Sequence, residues 1–175
     1  MRIESGWLLD EDAPGPRKPL YLRGGPGMRV DADGPALRVL YAEDDRINTR
    51  YGVALLKKLG MTVEAVENGR ECLERLNREP FDLVLMDIRM PVMSGDDALL
   101  EIRRKGQECG THQPVIALTA FSLRGDRERF LEAGFDGYLS KPLEPELLVR
   151  EIRRVTRLSH NTDSVASHIP VPNQE

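Results

Sequence analysis

Four apolar runs in this chain each stop at a side chain that can do chemistry. Leu83-Val84-Leu85-Met86 ends on Asp87, and Val39-Leu40-Tyr41-Ala42 ends on Glu43-Asp44-Asp45. Val115-Ile116-Ala117-Leu118 ends on Thr119-Ala120, and Gly137-Tyr138-Leu139-Ser140 ends on Lys141-Pro142. If one rim gathers these ends, Glu43, Asp44 and Asp87 repel one another and raise one another's pKa unless a cation sits among them. Hard oxygen donors with room for water suit Mg²⁺, which takes one or two carboxylates plus a phosphate, with Mn²⁺ as an alternative occupant. Asp87 beside such a metal could act as a nucleophile towards a phosphoryl group. Transfer of that group depends mainly on positioning and charge stabilisation. Mg²⁺ would neutralise one side and the Lys141 ammonium the other, while the Thr119 hydroxyl donates a hydrogen bond and the small Ala120 leaves the approach open. Pro142 directly after Lys141 argues for a constrained turn, with a cis bond as one form of it.

Each residue also has an ordinary reading. Asp45 is better placed as the cap of a following helix than as a ligand. Thr119 alone would be a strand-end threonine, and Lys141 alone a surface lysine. The combination carries the chemistry, and it requires elements that deliver all four ends to one place.

The pattern supplies them. Strands are expected at 37–42, 61–66, 83–87, 115–119 and 138–140. Helices are expected at 47–59, 68–78, 96–105, 126–133 and 144–158. In the first helix the apolar residues Ile47, Tyr51, Leu55 and Leu59 recur four apart, and Gly60 stops it. The second starts at an Asn68 cap, turns Cys72, Leu73 and Leu76 inward and ends at Pro80. Ala98, Leu99 and Ile102 face inward from the third, and Leu147, Leu148, Ile152 and Val155 from the last. Short apolar strands alternating with helices imply a parallel sheet covered on both faces. Right-handed crossovers make the flavodoxin-like α/β fold, strand order 2-1-3-4-5, the usual solution at this size. In that order strands one and three are neighbours, and their carboxyl-end rim is where open α/β sheets bind ligands.

The 175 residues suffice for one domain with a real core. Residues 1–36 mix Pro14, Pro16, Pro19, Pro26 and Pro35 with several glycines and read as a flexible arm, in which Trp7-Leu8-Leu9 is the one apolar patch. Residues 159–175 read as a polar tail. A net charge of -4 gives no basic footprint for nucleic acid. Cys72 and Cys109 are too few for a disulfide framework and read as reduced thiols in a cytoplasmic protein. No segment approaches the roughly 18 apolar residues of a membrane span, and the N-terminus lacks a signal-peptide core.

With "VLYAEDD", "LVLMDIRMP", "IALTA" and "GYLSKP" in this order, residues 37–158 resemble the receiver domain of bacterial two-component response regulators. The wording is most similar to receivers of hybrid histidine kinases and multistep phosphorelays. The resemblance implies that Asp87 accepts a phosphoryl group from a phosphohistidine on a sensor kinase or a histidine phosphotransfer protein. It implies that Asp44, Asp87 and the Arg89 backbone carbonyl bind Mg²⁺, with Glu43 acting through water. Thr119 and Tyr138 would form the switch pair, Lys141 would hold a phosphoryl oxygen, and Arg89 and Phe121 would flank the site and tune dephosphorylation. A phosphorylation-dependent dimer is a further expected state, and the downstream partner stays unidentified. Two positions depart from the pattern: Ser94 stands where relatives carry Asp or Asn, and Asp45 where the phosphorelay subgroup often has Asn.

Two other readings compete. One is an interaction module that uses its surface without a phosphorylation switch, given that no output domain is legible. The other is a phosphatase with a strand-end Asp, which usually needs a second Asp two residues on, where this chain has Arg89. Arg150, Arg153, Arg154 and Arg157 read as cations favoured at a helix C-terminus rather than as a nucleic-acid contact.

Overall fold

The computed structural model describes residues 36–120 and 126–163. Its elements alternate as β1 (Arg38–Ala42), α1 (Arg46–Lys58), β2 (Thr62–Val66), α2 (Gly69–Leu76), β3 (Leu83–Asp87), α3 (Gly95–Cys109), β4 (Val115–Thr119), α4 (Asp126–Glu132), β5 (Gly137–Ser140) and α5 (Pro145–Asp163). All strand pairs are parallel, and the sheet order is β2-β1-β3-β4-β5, as expected of the flavodoxin-like α/β fold. β3 and β4 are buried along their whole length, which is why they read as unbroken apolar runs rather than alternating ones.

Each face of the sheet has its own core. Val39, Tyr41, Leu83, Leu85, Ile116 and Leu118 point to one side and meet Leu56 and Leu59 at the end of α1 and Leu148, Ile152 and Val155 of α5. Leu40, Val84, Met86 and Ala117 point to the other and meet Cys72 of α2, Leu99 and Ile102 of α3 and Phe130 of α4. The alternation of strand side chains sorts one residue to each face in turn.

The helix ends follow local chemistry. Asp45 caps α1, its carboxylate accepting from the backbone N–H of Ile47 at 2.9 Å and of Asn48 at 2.8 Å. Asn68 caps α2 by accepting from the Glu71 N–H. Ser94 caps α3, accepting from the Asp97 N–H at 3.2 Å and donating to the Asp97 carboxylate at 2.7 Å. A serine cap at this position is as good as aspartate or asparagine.

Two expectations need correction, and the apolar row of α1 is only partly buried. In the row Ile47-Tyr51-Leu55-Leu59, Ile47 is 79% and Tyr51 49% exposed while Leu59 is buried and Leu55 packs on the core, and Gly52 and Leu56 are buried beside them. A row spaced by four drifts around a helix of 3.6 residues per turn, so it cannot stay on one face for three turns. Next, α3 runs past Lys105 to Cys109. The helix runs through Gly106, where an added Cβ would sit 2.5 Å from the Thr111 carbonyl oxygen, and it stops at Gly110 with φ +66°. Finally, α5 continues to Asp163, five residues into the stretch expected to be tail, since no proline or glycine stands between Leu158 and Asp163. The arm at 1–35, including Trp7-Leu8-Leu9, lies outside the described residues.

Candidate functional site

Register brings the reactive strand ends together. Ala42 of β1 lies beside Met86 of β3, so the next residues, Glu43 and Asp87, leave the sheet as neighbours. Asp87 lies beside Leu118 of β4, and Thr119 beside Ser140 of β5, which puts Thr119 and Lys141 at the same rim. The backbone reinforces this: the Lys141 N–H donates to the Thr119 carbonyl at 2.8 Å, and the Ile88 N–H to the Leu118 carbonyl at 3.2 Å. The Lys141-Pro142 peptide is cis.

At the centre is an ion triad. The Lys141 ammonium sits 2.5 Å from Glu43 Oε2 and 2.9 Å from Asp87 Oδ2. Glu43 is 1% and Asp87 7% exposed. Burial pushes the Glu43 carboxyl above its ordinary range, while the Lys141 cation and the Asn48 amide, 3.3 Å from Glu43 Oε1, pull it back. Behind the triad, burial and the charges of Glu43 and Asp87 push the Tyr41 phenol up, so it stays protonated. The second Asp87 oxygen faces the Arg89 N–H at 3.4 Å.

Carboxylate oxygens of Glu43, Asp44 and Asp87 lie within 4.8 Å of one another. Two of these residues are buried and Asp44 is exposed, so the cluster opens to solvent on one side. It therefore offers hard oxygen donors around one point with space for water, and it could hold a metal ion. The open side is a cavity of about 470 Å³ lined by Glu43, Asp44, Asp45, Asn48, Asp87, Ile88, Arg89, Thr119, Ala120, Arg129, Phe130 and Lys141.

Every expected site residue among the described ones lines that cavity except Tyr138. Tyr138 is half-buried in the core beneath α4 and stacks on Phe130, ring centroids 6.2 Å apart and planes 22° from parallel. Phe121 lies outside the described residues. Asn48, Ile88, Arg129 and Phe130 line the cavity without having been singled out from the sequence. Asn48 carried a usable signal, since it stands in the first helical turn, three residues after the Asp45 cap. Arg129 and Phe130 carried none, because they reach the rim only through the packing of α4.

Three further polar side chains are structural. Arg154 is not a solvated cation: it pairs with Glu151 at 2.7 Å and donates to the Asp136 carbonyl. His112 meets the Asp136 carboxylate at 2.6 Å, and Arg103 meets the same group at 2.7 Å.

Residues 39–153 match the family described as the response regulator receiver domain. The chain is 40% identical over 119 residues to the signal transduction histidine-protein kinase BarA of Escherichia coli, a match that covers 68% of this chain and 13% of that kinase. Among solved structures, the receiver domain of a sensor histidine kinase from Pseudomonas aeruginosa, with a magnesium ion coordinated in its active-site cleft, is 39% identical. That match covers 70% of this chain and 99% of the other, with a TM-score of 0.62. A receiver domain of Saccharomyces cerevisiae, solved with its histidine phosphotransfer protein, is 27% identical, covering 71% of this chain and 91% of the other, with a TM-score of 0.65. Relatives thus occur in bacteria and in yeast, and the likeness does not confine the chain to bacteria. Among the described residues no helix is long and apolar enough to cross a membrane. With the sheet order, the rim of carboxylates and the lysine after β5 all in place, the chain belongs to the response regulator receiver domain family.

Proposed function

We propose that Asp87 is the phosphoacceptor of this receiver, fed by a phosphohistidine on a kinase or a histidine phosphotransfer protein. The observation that carries the reading is the Lys141 ammonium 2.9 Å from Asp87 Oδ2, inside a cavity whose other wall is carboxylate. A carboxylate oxygen of Asp87 forms a bond to phosphorus as the P–N bond to the donor imidazole breaks, and the electron pair leaves with that nitrogen, which takes up a proton. Asp44, Asp87 and the Arg89 carbonyl would hold Mg²⁺, with Glu43 beside them through water, and the ion would supply charge neutralisation for the phosphoryl oxygens. Lys141 keeps the nucleophile oriented and takes a phosphoryl oxygen. Thr119, at the end of β4, donates its hydroxyl to another, and the small Ala120 leaves room for the donor. Tyr138, stacked on Phe130 under α4, then repacks as Thr119 shifts, which changes the surface shown to partners. Arg89 and Phe121 would tune the loss of the phosphoryl group. The phosphotransfer complex of the yeast receiver supports a partner of that class for this chain.

Acetyl phosphate with Mg²⁺, read by intact mass, is expected to add one phosphoryl group to the wild type. The adduct should be absent in EDTA and in Asp87→Ala. A folded wild type whose mass does not change would overturn the assignment.

A further inference from the structure

The cavity holds a cation that the phosphoacceptor reading does not use. Arg129, in the middle of α4, lines the same cavity as Asp87 and Lys141. Its guanidinium carbon lies 5.3 Å from the Phe130 ring centroid. Phe130 is buried, and its other ring neighbours are Tyr138, stacked at 6.2 Å, and Phe135, edge-on at 5.8 Å. One end of this chain of contacts is a solvent-reaching charge at the cavity, and the other is the half-buried tyrosine of β5.

Charge makes that arrangement responsive. Lys141 is already committed to Glu43 and Asp87. Converting Asp87 to an aspartyl phosphate would replace a carboxylate with a group of about -1.5 to -2 charge and three acceptor oxygens, as for other phosphorylated side chains. A guanidinium is weakly hydrated and presents its donors in a fork that fits phosphoryl oxygens two at a time. A cation–π contact at an exposed edge is weak by comparison and competes poorly.

The geometry points to Arg129 as a phosphoryl-binding residue that exchanges the Phe130 ring for the phosphoryl group on Asp87, and so carries the charge at Asp87 to Tyr138. This inference rests on the phosphoacceptor reading and adds to it a second cation from α4. Arg129 is exposed, so its replacement leaves the core intact.

The probe is beryllofluoride with saturating Mg²⁺ on the full chain, a trifluoride that mounts on a carboxylate in place of a phosphoryl group. Tyrosines are replaced by fluorotyrosine and the Tyr138 fluorine resonance is assigned with Tyr138→Phe. Arg129→Ala is expected to raise the beryllofluoride concentration for half-saturation roughly fivefold, the size of one partly exposed charge-assisted contact. It should also shrink the Tyr138 resonance shift at saturation, while Mg²⁺ affinity and melting temperature stay at wild-type values. Arg129→Lys keeps the charge and is expected to recover part of the affinity. Wild-type affinity in Arg129→Ala, or an Arg129→Lys no better than Arg129→Ala, overturns the role of Arg129. A wild type that takes neither beryllofluoride nor a phosphoryl adduct overturns the phosphoacceptor reading itself and this inference with it.

Discussion

Lys141 is the residue whose environment says most about the site. Its ammonium is the cation between two buried carboxylates, Glu43 and Asp87. Removing one partner of a buried ion pair leaves uncompensated charge, which is more destabilising than never having had the pair. Lys141→Ala is expected to lower stability in EDTA by about 3 kcal/mol, measured as a shift in the urea midpoint. Mg²⁺ should restore most of it, because a divalent ion among the same oxygens replaces the missing charge. A variant whose midpoint ignores Mg²⁺ would argue against the carboxylates forming one electrostatic unit. The pairing of Lys141 with Asp87 was readable in the sequence, as both close an apolar run at the ends of predicted strands. Its simultaneous hold on Glu43 was not, because only the register of β1 against β3 puts Glu43 within 2.5 Å of the ammonium.

At the scale of elements, the start of α3 is the most constrained join. The Gly95 N–H donates to the Ile88 carbonyl at 3.0 Å, tying α3 to the end of β3. A Cβ on Gly95 would sit 2.3 Å from the Asp87 carbonyl oxygen, and a backbone atom cannot swing away as a side-chain tip can. Gly95→Ala is therefore expected to cost about 2 to 3 kcal/mol. Calorimetry should show the loss as a lowered melting temperature, and an unchanged one would mean that α3 can slide on β3. Ser94→Ala, by contrast, removes one exposed cap and should cost about 1 kcal/mol. α1 teaches the opposite lesson. Its existence and its Asp45 cap were legible, but its buried face was not, since Ile47 and Tyr51 are apolar and exposed. Hydropathy marks which residues could be buried; packing against Tyr41 of β1 and against β2 decides which are. Gly52 is buried there because the Tyr41 ring lies within 2.6 Å of where its Cβ would be.

Across the whole molecule, burial separates the two cysteines. Cys72 is fully buried on the α2 side, and burial pushes its thiol up to about 12. Cys109 is exposed at the end of α3. A thiol reagent at pH 8 is expected to modify one cysteine quickly in the native protein and both of the two in guanidinium. Fast modification of both without denaturant would mean that the α2–α3 layer opens readily.

The sequence by itself determined the element order, the strand ends that carry the chemistry and the family, because those depend on local patterns: apolar runs, caps, stops and motifs in order. Tertiary structure decided the rest. It committed Lys141 to two carboxylates, brought Arg129 and Phe130 of α4 to the cavity, and kept Tyr138 behind Phe130 rather than in the cavity itself. These depend on register and on helix rotation against the sheet, and both are set by the summed packing of residues far apart in the chain. A single stretch of sequence carries no local signal for either.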